Sequence, residues 1–273
     1  MTLGIVADEI SRDFATAVEI GKRAGLLRYE IRNLKSGRVP LCDPHELDEV
    51  DRIIQGEGVK ITTISPGLFK YTDDAAGFAR EMAEMYPRAV ELAERWGLAT
   101  MIIFGFHKPG ATEANAATIS SSNPPPAVAE WLAVACERAH DDHLTLLIEP
   151  EPICWADTAS AAVSMIQTAH ARSVKINCDP GNVAWLWNRD PLEDLEASID
   201  WVRNVHVKDL RPLTRGAAHP EWIPAGQGMI NYRAHFAALR GSGFDGNYSL
   251  EPHMDGTLET IQACKQAFER EFS

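Results

Sequence analysis

The chain has 273 residues, 45% of them apolar and 24% charged, and a formal net charge of −13. This is the composition of an ordinary folded globular chain, not of a disordered or fibrous one, and its acidic balance argues against a broad nucleic-acid surface, which needs clustered Lys and Arg. Five cysteines (Cys42, Cys136, Cys154, Cys178 and Cys264), odd in number and without a CxxC pair, predict neither a disulfide framework nor a structural zinc site and imply a reducing compartment.

From Met1 to Glu9 there is no basic stretch ahead of a long apolar core, and no window reaches the ~20 apolar residues of a membrane span. A cytoplasmic protein without a membrane partner is expected. Leu3 to Ala7 reads as a strand and Asp13 to Ala24 as a helix stopped by Gly25. Strand 27–31, helix 43–55 and strand 59–64 follow. Residues 74–96 form a long helical pattern, with a kink expected near Pro87 because proline lacks the amide donor. Strand 100–104 leads into a connection at 105–126 rich in Gly, Pro, Ser and Asn. Helix 127–140 precedes strand 145–149, and helix 158–169, with Asp157 as its expected cap, precedes strand 174–178. Helix 191–199, strand 202–207, a second long connection at 211–230, a seventh helix, strand 248–250 and helix 257–272 complete the chain.

Eight strand-then-helix units in alternation predict an α/β fold, since each parallel strand pair needs a crossover helix. The expected architecture is a single (β/α)8 TIM barrel over residues 1–273, with an open doubly wound sheet as the alternative. In such a barrel the carboxyl ends of the strands share one face. Glu149, Asp179, His206 and Glu251, each at the end of a predicted strand, would then converge. Taken singly, each reads as readily as a loop residue, a helix cap or a satisfied core histidine. As a set they describe a metal site, because three crowded carboxylates repel unless a cation lies between them. Oxygen-rich ligation with one imidazole suits Mn²⁺, Mg²⁺ or Co²⁺, Mn²⁺ foremost, with Zn²⁺ possible. Glu151, of the same strand parity, competes with Glu149.

Ile148-Glu149, Cys178-Asp179-Pro180-Gly181-Asn182, His206-Val207-Lys208-Asp209 and Leu250-Glu251-Pro252, with Gly226-Gln227-Gly228 between the last two, resemble the sugar-phosphate isomerase/epimerase group of xylose-isomerase-like TIM barrels. The resemblance implies one divalent ion held by Glu149, Asp179, His206 and Glu251, with Glu149 and Glu251 acting on opposite sides of a sugar substrate. The implied chemistry is proton removal next to a carbonyl, through a stabilised enediolate. Return of the proton gives epimerisation or isomerisation, whereas loss of a β-substituent gives a lyase or dehydratase, glycoside-cleaving elimination included. Ketose 3-epimerases of the group usually carry a His three residues past the metal-binding Asp. Asn182 stands there in this chain, which argues against a free-ketose epimerase.

Further candidates for substrate contact are His107, Lys208, Asn182, Glu151, Trp155 and Trp185, the tryptophans as stacking faces for a sugar ring. Lys108 reads as a solvated surface residue. Glu30 and Arg32 either line the mouth or pair with each other. The long connections 105–126 and 211–230 are expected on the catalytic face as a substrate lid. No GxGxxG, Walker or GxSxG pattern is present, which disfavours nucleotide redox cofactors and serine-hydrolase chemistry. Two rival readings are an apurinic endonuclease, disfavoured by the acidic charge, and a non-enzymatic sugar-binding subunit. The expected partner is a small-molecule sugar substrate, with assembly as a homo-oligomer or a heteromer left open by the sequence.

Overall fold

The computed structural model describes residues 2–116, 119, 123–213 and 219–273. Eight strands, β1 (Thr2–Val6), β2 (Arg28–Ile31), β3 (Lys60–Ile64), β4 (Thr100–Phe104), β5 (Thr145–Glu149), β6 (Val174–Cys178), β7 (Val202–Val207) and β8 (Asn247–Leu250), close into a barrel. Its order is β1-β8-β7-β6-β5-β4-β3-β2, and every neighbouring pair is parallel. The apolar runs explain why. Met101 to Phe104 and Leu146 to Glu149 are buried at every position, as strands must be when side chains fill the barrel on one face and helices cover the other. The expected single barrel is therefore observed, and the open sheet is not. Among the described residues no helix is long and apolar enough to cross a membrane.

The helices are started by side chains that satisfy their first amides. Asp13 caps α1 (Phe14–Arg23), accepting from the Thr16 amide at 3.1 Å, and Asp43 caps α2 (Pro44–Glu57). The long pattern at 74–96 is interrupted just ahead of Pro87. It runs as α3 (Ala75–Arg80), a π-helical turn at Glu81–Met85, and α4 (Tyr86–Arg95). Pro87 has no amide to bond back into this turn, and the wider π-helical turn lies just before it. The wider turn carries Glu81, whose carboxylate accepts from the Phe69 amide at 2.6 Å and from Thr72 Oγ1 at 2.7 Å.

After α5 (Pro126–Asp141) comes α6 (Ala159–Thr168), and here the expected cap is corrected. Thr158 caps α6, accepting from the Ala161 amide at 3.0 Å, while Asp157 is drawn away to Lys108. A helix to which the sequence pattern assigns no element is α7 (Pro180–Trp187). Proline at the first helical position suits a helix start, and Asp179 caps it through the Asn182 amide at 3.0 Å. The chain continues through α8 (Leu192–Ser198), α9 (Tyr232–Gly241) and α10 (Leu258–Phe272).

The start of α9 is tied to the segment after α7 by His235, 1% exposed, whose Nε2 lies 2.7 Å from Asp190 Oδ1. Burial raises the Asp190 carboxyl, but the bond to His235 outweighs it and holds the group below its ordinary 3.8. A carboxylate held low stabilises the fold above its unfolded value, and that contribution is lost as pH falls through the folded value. Asp190→Asn is expected to cost about 1–2 kcal/mol in urea unfolding at pH 7, the low end for a charged hydrogen bond because the carboxylate keeps some contact with water. The gap to wild type should close below pH 3.8. An equal gap at all pH values would show that the ion pair contributes nothing.

Candidate active site

Strands β5 to β8 are successive in the barrel, and each delivers one side chain to its carboxyl end. Glu149 is the last residue of β5, Asp179 follows β6, His206 is the penultimate residue of β7, and Glu251 follows β8. Their ligand atoms lie within 4.8 Å of one another and all four residues are buried. His206 Nδ1 stands 3.0 Å from Glu251, 3.7 Å from Glu149 and 3.8 Å from Asp179. Its other nitrogen, Nε2, faces Glu30 at 3.0 Å, a fully buried carboxylate from β2 across the barrel.

This arrangement fits a divalent cation. A ligating histidine commonly directs its second nitrogen to a carboxylate, which fixes the ring and leaves the first free to bind; Glu30 is placed where it would fill that role. Burial alone would lower His206, yet Glu30, Glu251 and Glu149 outweigh it and push the imidazole well above its ordinary value. The cluster of carboxylates therefore demands positive charge at its centre. Part of that demand is met from the rim. Lys208 Nζ lies 2.7 Å from Asp179 Oδ2 and 2.9 Å from Glu251 Oε2. Arg32 spans Asp8, Glu9 and Glu251 at 3.1, 2.7 and 2.5 Å. Burial raises the Glu251 carboxyl, but Lys208, His206 and His253 hold it well below the usual carboxylate range.

Lys208 reaches Asp179 because residue 181 is glycine. A Cβ there would lie 2.4 Å from Lys208 Cγ. Behind Glu149, Asn177 Nδ2 donates to Oε2 at 3.2 Å, and Asn204 Nδ2 donates to Asn177 Oδ1 at 2.8 Å. Both asparagines are buried within strands. Asn inside an apolar strand run is the signal by which these supports could be read, since a buried amide must find partners.

Above the cluster is a cavity of about 440 Å³. Of the residues expected to contact substrate, Glu151, Asn182, Trp185 and Lys208 line it. Glu151 is paired with Lys70 at 2.9 Å; burial raises its carboxyl more than Lys70 lowers it. Asn182 donates to the Pro150 carbonyl at 2.8 Å. Trp155 instead lines a separate recess beside Lys108 and Asp157. His107 is half-buried, its ring 6.1 Å from Tyr71, and it does not line the cavity. Lys108 is the opposite of the solvated residue expected. It is 2% exposed and lies 2.5 Å from Asp157, burial that an ammonium tolerates only when paired. Glu30 and Arg32 do not pair with each other; each reaches a different member of the cluster. Arg38, Trp222 and His253 also line the cavity, and the sequence reading missed all three.

Both long connections rise on this face: Glu113 from the first and His219, Pro220 and Trp222 from the second line the same cavity. Residues 117, 118, 120–122 and 214–218 of these connections lie outside the described residues. The second connection is closed at its base by a short antiparallel ribbon of Asp209–Leu210 with Trp222–Ile223. Asp209 fastens the Gly226-Gln227-Gly228 turn, accepting from the amides of Gly226 and Gly228 at 2.9 Å and of Ile230 at 3.2 Å.

Residues 17–270 match the family model of the xylose isomerase-like TIM barrel. Among curated proteins, the putative L-ribulose-5-phosphate 3-epimerase SgbU of Escherichia coli (strain K12) is 23% identical over 197 residues, which are 69% of this chain and 64% of that protein. The match therefore spans less than two thirds of that relative's length. Among solved structures, IolI with a bound zinc atom superposes with a TM-score of 0.79 at 18% identity, covering 100% of this chain and 98% of that one. The probable 3-DHS dehydratase AsbF of Bacillus anthracis gives a TM-score of 0.74 at 16% identity, covering 98% and 99%. At such identities the likeness to these structures speaks to the fold.

Proposed function

The chain belongs to the xylose isomerase-like TIM barrel family, and on that premise we propose that it is a divalent-metal-dependent isomerase or epimerase of a sugar or sugar derivative. The observation that carries this reading is the convergence of Glu149, Asp179, His206 and Glu251 within 4.8 Å, under a cavity sized for a small polar substrate. These four residues would hold the ion, with Mn²⁺ the expected metal and Zn²⁺, Mg²⁺ or Co²⁺ able to replace it. When bound, the ion supplies a Lewis acid that polarises a substrate carbonyl and offsets the charge left by proton removal.

The protein's own groups do the rest. Glu149 and Glu251, on strands separated by β6 and β7, take a proton from the carbon beside the carbonyl and return one from the other side. Burial raises the Glu149 carboxyl, but His206 offsets it and holds the group below its ordinary value, so it is ionised and ready to accept. Lys208 is raised by Asp179 and Glu251 against the lowering effect of burial, and stays charged as an electrostatic support for a developing oxyanion. Asn182 and Trp185 position the sugar. Elimination of a β-substituent after the same first step would make the enzyme a lyase; a dehydratase among the structural relatives supports keeping it as the second reading.

The test is proton exchange in D₂O. Protein reconstituted with Mn²⁺ is offered ketoses, 3-keto-sugars and inososes, and deuterium at the carbon next to the carbonyl is followed by NMR. At least one compound should take up deuterium. If none does with Mn²⁺, Co²⁺, Mg²⁺ or Zn²⁺, the proposed chemistry is wrong.

A further inference from the structure

Four strong cations line the cavity: Arg32, Arg38, Lys70 and Lys208. Three are matched by carboxylates: Arg32 by Asp8, Glu9 and Glu251, Lys70 by Glu151, and Lys208 by Asp179 and Glu251. Arg38 has no carboxylate partner among the described residues. Ser65, just past β3, holds its guanidinium, with Nε donating to the Ser65 carbonyl and Nη2 to Oγ, both at 2.8 Å. A guanidinium carries five N–H groups, so three remain, both of those on Nη1 included. Residue 67 is glycine where Arg38 passes; a Cβ there would lie 2.9 Å from Nε. The side chain is thus built into place with no carboxylate in contact with its charge among the described residues.

A cation taken from water without a counter-ion costs free energy. Burial, and after it the neighbouring Arg32, push Arg38 down from its ordinary value. Lys70 shares an aromatic neighbour with it: Arg38 Cζ and Lys70 Nζ lie 5.8 and 4.9 Å from the centre of the Phe104 ring at the end of β4. Both cations therefore sit on the β2 to β4 arc of the cavity, and the carboxylate–imidazole cluster sits on the β5 to β8 arc. The cavity leaves room for a substrate whose carbonyl end lies at the cluster to extend its far end toward Arg38.

We propose that Arg38, with Lys70 on the same arc of the cavity, is an anion subsite, and that the substrate carries a carboxylate or a phosphate at the end remote from the reacting carbonyl. Both groups suit the planar fork of a guanidinium. The inference rests on the reading that this cavity takes a sugar derivative, and it fixes the class of that derivative as acidic. Glu113, exposed on the first connection, lines the same cavity but forms no ion pair with Arg38 among the described residues.

Binding can be measured without turnover, which separates this inference from the reaction itself. Mn²⁺-reconstituted protein is titrated calorimetrically with glycerol, glycerol 3-phosphate and 3,4-dihydroxybutanoate. At least one anion should bind tenfold or more tightly than glycerol, and which one does so tells phosphate from carboxylate. Arg38→Gln should bring that ratio close to one, and Arg38→Lys should keep an intermediate ratio, since it restores the charge without the fork. Melting temperatures and circular dichroism report whether each variant is folded; should Arg38→Gln not fold, the Arg38→Lys ratio decides. Anions that bind no tighter than glycerol, or variants that bind them as wild type does, overturn the subsite while leaving the exchange chemistry to its own test.

Discussion

Glu149→Gln and Glu251→Gln are each expected to lower turnover by about 10³-fold or more, while the protein still binds some metal. An amide oxygen can coordinate an ion but cannot take a proton from carbon, and loss of a positioned base costs about 10²–10⁴-fold. The two variants should differ in other respects. Glu251 accepts from Arg32 on one oxygen and Lys208 on the other, so a Gln amide group must confront one of these cations. Among the described residues Glu149 has only Asn177 Nδ2 as a hydrogen-bonding neighbour from outside the cluster, and an amide flip relieves much of the conflict. Glu251→Gln should therefore also lose stability, by about 1–3 kcal/mol, and Glu149→Gln less. In D₂O, replacement of the base that acts first abolishes exchange of the substrate's carbon-bound proton. Replacement of the second leaves exchange running without product. Normal turnover in both variants would falsify the two-base mechanism and turn attention to Lys208.

Metal removal is the second large effect. Chelation should reduce activity to background and lower the melting temperature by several degrees, because an ion that binds only the folded state stabilises it by mass action. Reconstitution should restore about one divalent ion per chain by elemental analysis. A chain that keeps full activity when metal-free would refute the site. The sequence alone suggests that loss of His206 should spare the fold. Glu30 changes that expectation: fully buried and bonded to His206, it is left without its partner in His206→Ala, at a cost of about 1–3 kcal/mol. Adding Glu30→Gln to His206→Ala should recover part of this stability and none of the metal, a non-additivity expected of residues in contact.

The features legible in the sequence are those written in one short stretch. Short apolar runs alternating with helical patterns mark the strands, and a polar residue at the end of four successive runs marks the candidate site. What stayed hidden depends on distant partners. Lys108 is buried because Asp157 comes to it across 49 positions, and the same pull leaves Thr158 to cap α6. Glu30 and His206 are 176 residues apart, and Arg38 meets Ser65 across 27. No local pattern distinguishes such a residue from a solvated one. The helix at Pro180–Trp187 does carry local signals, a capping Asp179 and a proline at its first position, but Pro, Gly and Asn also form turns, so such a short stretch is ambiguous by itself.

The ribbon beneath the second connection separates two parts of the molecule in evolutionary terms. Arg211 and Glu221 are joined by a backbone hydrogen bond of 3.0 Å and a side-chain pair of 2.8 Å, so the chain between them starts and ends at nearly one point. Doubling such a segment costs only about 0.6 kcal/mol of closure entropy. Insertions and deletions there can accumulate without displacing Lys208, three positions before Arg211, or Trp222, directly after Glu221. The reacting end of the cavity can thus be inherited unchanged while its cover is rewritten. Descendants of one such chain could reach new substrates by changing loop length before altering any residue of the barrel.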